Sequence, residues 1–432
     1  MKIQLYCLFV VLSFSTNSFG QRLNRIEKKI VKQVEKLDIE SIDFLKKVVN
    51  INSGTLNLVG VKEVGKVFSK SFKAIGFDTR WIEMPSQMNR AGHLFASIEG
   101  TKGKKLLLIG HLDTVFEKNS PFQKFEIQND SIALGPGAND MKGGDVVVLY
   151  ALKALYNLDL LKDASITIAF TGDEESTGKP LSISRKDLID EAKQAEIALG
   201  FENSTGFNSA TIARRGASGW KVTVEGNRAH SSGIFTENTG AGAIFEISRI
   251  LNSFYDEVRG ENYLTFNPGS LLGGTFVEFD STKSSGSIFG KSNVVAQKAI
   301  VNGGLRFISE DQKENARKKM RHIVSQSLPK TRSTISFMDS YPAMGPTEGN
   351  KVILSMLNDV SLSLGQGSVE AYDPGKRGAA DISFVANYVD GLDGLGTMGS
   401  KAHTPKETVN LKTMNALIQR TAVFIYRLIS ID

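Results

Sequence analysis

Lys105-Leu106-Leu107-Leu108-Ile109-Gly110-His111-Leu112-Asp113-Thr114-Val115 is the stretch on which the reading of the fold turns. Its first half is a short, unbroken apolar run, the pattern of a strand buried on both faces of a parallel sheet. Its second half sets an imidazole and a carboxylate two residues apart. Strand side chains alternate faces, so His111 and Asp113 are expected to point the same way from the strand's end. In open α/β sheets ligands bind outside that carboxyl edge. Alone, a His-x-Asp reads better as a core histidine beside a capping aspartate, but four later motifs favour chemistry.

Upstream, charged and apolar residues recur at helical spacing from Arg22 to Val49 and again from Val61 to Ile75, with strand-like runs at Phe77–Ile82 and His93–Ile98. His93 has no acidic companion and reads as structural. Downstream, Leu134-Gly135-Pro136-Gly137-Ala138-Asn139-Asp140-Met141-Lys142-Gly143-Gly144 is a sharp glycine-rich loop opening onto a helix, with Asp140 placed where a carboxylate is also a good cap. A second strand, Ser165–Phe170, runs into Thr171-Gly172-Asp173-Glu174-Glu175, and a third, Glu196–Phe201, ends in Glu202-Asn203. Three adjacent carboxylates at a strand end repel one another and lose hydration when buried, so they need a cation or open water.

After Arg214 the pattern changes. Strands at Trp220–Glu225, Tyr263–Phe266 with Gly273–Glu278, Asn293–Phe307 and Ser333–Phe337 alternate with helices at Glu237–Val258 and Asp311–Leu328, a βαββαβ order. The Ser/Gly-rich segment Ser281–Gly290 reads as a mobile loop, Asn227–Gly233 as a polar loop carrying His230, and His322 as a solvated surface residue. The α/β pattern resumes at Pro342, with a helix near Lys351–Leu364, a glycine-opened turn at Gly375–Ser383, a loop bearing His403 and a final amphipathic helix, Leu411–Leu428. The fold class is therefore α/β: a mixed, largely parallel sheet between helices, with an inserted ferredoxin-like α+β unit. The expected division is a signal peptide at 1–20, a catalytic part at 21–213 and 341–432, and a lid or dimerisation domain at 214–340.

The 432 residues are 41% hydrophobic and 23% charged, an ordinary globular composition. The net charge of +6 comes without a basic block interleaved with aromatics, so nucleic-acid binding gains no support. Lys2, the apolar run Leu5–Phe14 and the small residues of Ser18-Phe19-Gly20 resemble a secretory signal cleaved before Gln21; no run is long enough to span a membrane. Export to the periplasm or medium is expected. The one cysteine, Cys7, lies inside that segment, so the mature chain would rely on its core or on metal rather than on disulfides.

His111, Asp113, Asp140, Glu174, Glu175, Glu202 and His403 thus gather at strand ends or loops of the larger part. Two imidazoles with several carboxylates suit Zn²⁺, and tolerate Co²⁺ or Mn²⁺. Five ligands can hold two ions sharing one carboxylate, leaving two carboxylates for acid–base work. At this point His-Leu-Asp-Thr-Val, Gly-Ala-Asn-Asp-Met-Lys-Gly-Gly and Thr-Gly-Asp-Glu-Glu together resemble the two-zinc exopeptidases and amidases that include glutamate carboxypeptidase, the aminoacylases and succinyl-diaminopimelate desuccinylase. The likeness spans nearly the whole mature chain.

That resemblance implies that His111, Asp140 and Glu202 hold one zinc and that Asp140, Glu175 and His403 hold the other. It makes Asp113 the residue orienting His111, and Glu174 the general base. It implies that His230 stabilises the oxyanion, often in a partner subunit's site, and that Asn293 and Arg306 meet a substrate carboxylate. It also suggests a cis peptide after Asp140. Relatives carry a Gly-Gly-Thr-Asp-like turn where this chain has Arg377-Gly378-Ala379-Ala380-Asp381; Arg377 can bind a substrate carboxylate there, or pair with Asp381 or Asp373. The expected function is an exported dizinc carboxypeptidase acting on a small peptide or N-acyl amino acid, and a homodimer through the lid domain. The alternatives are an aminoacylase or dipeptidase and, outside catalysis, a metal-dependent binding protein.

Overall fold

The structure is a computed structural model and describes residues 22–431. The expected signal peptide at 1–20, with Cys7, lies outside the described residues. The described chain opens with helices α1 (Arg25–Lys36), α2 (Asp38–Val49) and α3 (Leu58–Ala74). The start of α1 is fixed by Asn24, whose side chain accepts the N–H groups of Ile26 and Glu27 while the Glu27 carboxylate accepts the N–H of Asn24. Strands β1 (Asp78–Ile82), β2 (His93–Ile98) and β3 (Lys102–His111) follow, then α4 (Lys142–Tyr156), β4 (Ala164–Thr171) and β5 (Ile197–Gly200).

The insertion runs β6 (Gly216–Gly226), α5 (Ala243–Glu257), β7 (Thr265–Gly274), β8 (Phe276–Asp280), β9 (Ser285–Phe289), β10 (Lys298–Phe307), α6 (Glu310–Ser325) and β11 (Thr331–Asp339). The chain then returns through α7 (Glu348–Ser363), β12 (Gly391–Leu392) and α8 (Leu411–Ile429).

The central sheet has the order β1-β2-β4-β3-β5-β12. Its inner pairs β3–β4, β3–β5 and β5–β12 are parallel, and β1 and β2 add an antiparallel edge. The register sets His111 against Thr171 and Ile109 against Gly200, so the carboxyl ends of β3, β4 and β5 lie side by side. That alignment brings residues 60 and 91 positions apart in sequence (171 − 111 and 200 − 109) to one edge. Leu106 and Leu108 face one core while Leu107 and Ile109 face the other, as a strand buried on both faces requires. α4 is apolar nearly all round because it is covered all round, packing against α1, α2, α8 and β3.

In the insertion the sheet order β7-β10-β6-β11 is wholly antiparallel, the second-third-first-fourth arrangement of a ferredoxin-like unit. Alternate residues of β6 (Trp220, Val222, Val224) meet Ile247, Ile250 and Phe254 of α5 and Met320 and Ile323 of α6 in a separate apolar core. The two crossings between insertion and central part are tied together by paired backbone hydrogen bonds between Arg214 and Met344.

Four local expectations shift. The segment Ser281–Gly290 is not a loop throughout: Ser285–Phe289 pairs with Phe276–Asp280 as a hairpin. Its turn is closed by Asp280, whose Oδ1 accepts from the N–H and hydroxyl of Thr282 at 2.8 and 2.6 Å. α5 begins at Ala243 rather than Glu237, because Gly240 and Gly242 hold positive φ of 70° and 76° just before it. The stretches around Phe266 and Gly273 form one strand, with a register shift between Pro268 and Ser270, where the proline has no N–H to give. Asn293 lies in a turn before β10 rather than within the strand.

Candidate metal centre

His111 ends β3 and is 1% exposed. Its Nδ1 lies 3.0 Å from the backbone carbonyl of Asp113. A carbonyl only accepts, so Nδ1 carries the proton and, in the neutral ring, Nε2 presents a bare lone pair. That Nε2 is buried without a hydrogen-bond partner and lies 3.4 Å from both Asp140 Oδ1 and Glu202 Oε1. On the other side, His403 Nε2 is 3.2 Å from Asp140 Oδ2 and 3.1 Å from Glu175 Oε2. Asp140 therefore gives one oxygen to each imidazole. Glu175 Oε1 is also buried and unpartnered. The ligand atoms of His111, Asp140 and Glu175 lie within 4.8 Å of one another, as do those of His111, Glu174 and Glu202.

Each position follows from the local chain. Asp140 precedes α4 at the end of the glycine-rich loop, and the Asp140–Met141 peptide is cis, as the resemblance implied. Glu174 and Glu175 follow β4 in a turn held by Asp113. The Asp113 carboxylate accepts the Glu174 N–H at 3.0 Å, the Glu175 N–H at 3.2 Å and the Thr55 hydroxyl at 2.6 Å. Asp113 thus orients His111 through its carbonyl and holds the two glutamates through its carboxylate, a wider role than its spacing suggested. The Glu174 carbonyl in turn accepts the Tyr341 phenol at 2.8 Å.

The crowding of acids is visible in their protonation. Burial pushes Glu174 well above the usual carboxylate range, and neighbouring Glu202 pushes it further. Burial raises Glu175 to about 7 against the opposing contact with His403. Asp140 goes the other way, because His111 and His403 outweigh its burial. Contacts with Asp140 and Glu175 raise His403 to about 11. For His111, burial is outweighed by Asp113, Asp140 and Glu202, and its pKa lies well above the ordinary value.

Of the remaining expected residues, Arg377 comes to the rim of the cluster. Its Nη1 and Nη2 donate to the Asn203 side-chain and backbone oxygens at 2.9 and 3.2 Å, and Asn203 Nδ2 donates to Asp140 Oδ2 at 3.1 Å. It pairs with neither Asp381 nor Asp373, because Asp381 is held by Arg185 and Thr171, and Asp373 caps Gly375. His230, Asn293 and Arg306 sit on the insertion, and among the described residues none has a hydrogen bond or ion pair to the cluster. His230 and Val294 form an isolated bridge that places Asn293 beside the histidine. His93 is structural as read: its Nε2 lies 2.8 Å from the Ser184 carbonyl and its Nδ1 accepts the Gly172 N–H.

The sequence reading passed over Asn203, Glu407 and Arg185. Asn203 directly follows a candidate ligand and Glu407 stands four residues after another, spacings that could have drawn attention to both. Arg185 carries no such signal.

Residues 107–427 match the family described as peptidase family M20/M25/M40. Carboxypeptidase G2 of Pseudomonas sp. (strain RS-16) is 27% identical over 373 residues, covering 84% of this chain and 83% of that protein. Succinyl-diaminopimelate desuccinylase of Pelagibacter ubique (strain HTCC1062) is 23% identical over 372 residues, covering 82% of this chain and 90% of that one. Among solved structures, aminopeptidase PepT from Bacillus cereus ATCC 10987 has a TM-score of 0.71 at 17% identity, covering 90% of this chain and 98% of that one. The family match takes in β3 to α8, and the chain belongs to peptidase family M20/M25/M40 as a metal-dependent peptidase or amidohydrolase.

Proposed function

We propose that the protein is an exported dizinc carboxypeptidase, cleaving the amide next to a free α-carboxylate in a small peptide or N-acyl amino acid. One observation carries the metal assignment. The four imidazole-to-carboxylate separations run from 3.1 to 3.4 Å, two of them from the His111 Nε2, and among the described residues that nitrogen and the adjoining Glu175 Oε1 are buried without a hydrogen-bond partner. Four ligands around zinc at bonds of about 2.0–2.2 Å stand about 3.3–3.6 Å apart, so these spacings are those of a coordination shell's edges. His111, Asp140 and Glu202 would hold one ion, and Asp140, Glu175 and His403 the other, with Asp140 shared. Bound there, the two ions would acidify water and polarise the scissile carbonyl.

The chain's own residues do the rest. Glu174, fixed at its backbone by Asp113 and Tyr341, takes a proton from the attacking water at its carboxylate and returns it to the leaving amine. Asn293 and Arg306 on the insertion, with Arg377 at the cluster's rim, receive the substrate carboxylate; the buried Arg377 Nε without a partner supports this. The oxyanion is met by the partner subunit's His230 in a homodimer formed through the insertion. His230 is exposed and tied to Asn293's segment rather than to its own chain's cluster, which supports that placing.

The test is metal content with hydrolysis of a panel of N-acyl amino acids and peptides ending in Glu, Ala or Leu, before and after chelation. Two metals per chain and chelator-sensitive release of a C-terminal residue are expected. Release of only the acyl group from acyl-amino acids would make it an aminoacylase, and cleavage of free dipeptides alone a dipeptidase. Absence of metal would overturn the assignment.

A further inference from the structure

Glu407 is wholly buried, yet among the described residues it has no ion pair. Its acceptors are spent on backbone. Oε1 accepts the N–H groups of Asn139 at 2.8 Å and Asp140 at 3.0 Å, and Oε2 accepts that of Gly137 at 3.2 Å. Its carbonyl accepts the N–H of Gly135 at 3.2 Å. The loop ending in Asp140 is therefore curled around one carboxylate, a concave run of N–H groups of the kind that binds anions.

That carboxylate belongs to the loop carrying His403. The two loops also share a small sheet, in which Thr408–Asn410 lies between Gly399–Ser400 and Ile132–Leu134. They cross so closely that a Cβ on Gly399 would stand 2.6 Å from Asn139 Cγ. Glu407 thus clasps two candidate ligands 263 positions apart in sequence (403 − 140).

A neutral acceptor would join two loops at less cost, since burying an unpaired carboxylate takes several kcal/mol of hydration away. The charge has a use only if something cationic is to sit nearby. Among the described residues the buried ammonium of Lys142 feels that charge, but its hydrogen bonds go to the carbonyls of Val48 and Ile51 at 3.1 and 2.9 Å rather than to Glu407.

We propose that Glu407 is a positioning residue for the metal centre: it fixes Asp140 and His403 at their mutual spacing and lends a buried negative charge to the ions they hold, without touching either ion. This rests on the dizinc reading above. Outer residues of this kind typically govern metal affinity by about 10–100-fold.

The experiment uses the full protein and zinc itself, with affinity measured by competition against a chromophoric chelator and the melting temperature recorded with and without metal. Glu407→Gln keeps the shape and part of the hydrogen bonding but removes the charge. It should weaken zinc binding about 10-fold or more while the chelated protein melts near the wild-type temperature. Glu407→Ala should weaken it further, and Lys406→Ala, an exposed neighbour, should leave it unchanged. If Glu407→Gln lowers the melting temperature of the chelated protein but zinc affinity stays at the wild-type value, the residue is only a structural staple and the inference fails. A wild-type protein that takes up no zinc overturns the dizinc reading and this inference together, whereas normal wild-type uptake with unchanged variant affinity overturns this inference alone.

Discussion

Replacing Arg185 by methionine tests whether the turn bearing Glu174 is held by a buried ionic network. Arg185 is 0% exposed; its Nη1 meets Asp173 Oδ1 at 2.5 Å and its Nε meets Asp381 Oδ1 at 2.8 Å. Asp173 immediately precedes Glu174 and also accepts from Gly178 N and Ser184 Oγ, both at 2.8 Å. Asp381 opens the short helix after Arg377 and accepts from Thr171 at the end of β4. Methionine fills much of the same volume but leaves two buried carboxylates facing each other. Breaking such a pair from one side costs about 3–5 kcal/mol. At about 2 °C per kcal/mol for a chain of this size, melting should fall by about 6–10 °C.

The loss should depend on pH with a definite sign. In the native protein burial raises the Asp173 pKa, but Arg185 overrides it and the net shift is downward. That ionised carboxylate stabilises the fold above its unfolded value of about 3.9, and the contribution is lost as pH falls through the lower folded value. Without Arg185 the burial is opposed mainly by His93 and the Gly178 N–H at Asp173 and by the Thr171 hydroxyl at Asp381, so both aspartates titrate upward and the penalty grows as pH rises. Asp381 is raised by burial even with the arginine present. Urea unfolding at pH 5, 6.5 and 8 should therefore show the smallest difference from wild type at pH 5. Arg185→Met combined with Asp381→Asn should recover part of the loss, because one of the stranded charges is gone. A penalty below about 1 kcal/mol that does not vary with pH would refute the reasoning.

Three further outcomes are expected. Glu174→Gln should lower kcat by about 10²–10⁴-fold while metal content stays near two per chain, whereas His403→Ala should lose about one metal; equal metal losses would contradict the division between base and ligand. Gly110→Ala should destabilise by about 1–3 kcal/mol in chemical denaturation, because its Cβ would stand 2.1 Å from Asp145 Oδ1 and 3.0 Å from Met141 Cε in a closed core. Chelation should lower the melting temperature, since metal held at about 100 times its dissociation constant contributes about 2.7 kcal/mol per site; an unchanged melting curve would mean the cluster folds without regard to metal.

What could be read from the sequence and what could not divides along a physical line. His111, Glu174, Glu175 and Glu202 were legible because each follows an apolar run, and apolar runs that become adjacent parallel strands deliver their ends to one edge. Asp140 was legible from its glycine-rich loop. His403 stands out only as a histidine in an irregular loop, and its pairing with Asp140 and Glu175 comes from the resemblance to a family pattern. Arg185 and the partners of Glu407 are opaque for the opposite reason: they are set by how loops cross in three dimensions, and although Glu407 stands four residues after His403, nothing local marks either residue as buried. The first strand of the hairpin at Phe276–Phe289 falls partly within the expected Gly273–Glu278 strand, but the second is hidden by a Ser/Gly composition that reads as a loop, although only Ser281–Ser284 forms the turn. That second strand is exposed at every position, so no buried face imposes a period-two pattern on it, whereas the first strand buries Val277.

The distribution of cations around the cluster gives the metal assignment a second physical basis. Asp113, Asp140, Glu174, Glu175 and Glu202 stand together, and among the described residues the only ion-pair partners they have are His111 and His403. Permanent cations lie close by, but each is engaged elsewhere. Arg185 is held by Asp173 and Asp381, Arg214 by Asp393 and the Gly378 carbonyl, and Arg377 by Asn203. A guanidinium turned inward would neutralise the carboxylates and fill the space between them, and the site would then be an ordinary buried salt bridge. Instead, neutral donors hold the acids in place: Thr55 and two backbone N–H groups on Asp113, and Asn203 on Asp140. Neutral donors fix the positions of carboxylates without cancelling their charge, which leaves five carboxylates around two imidazoles, an acidic excess well suited to a small divalent cation.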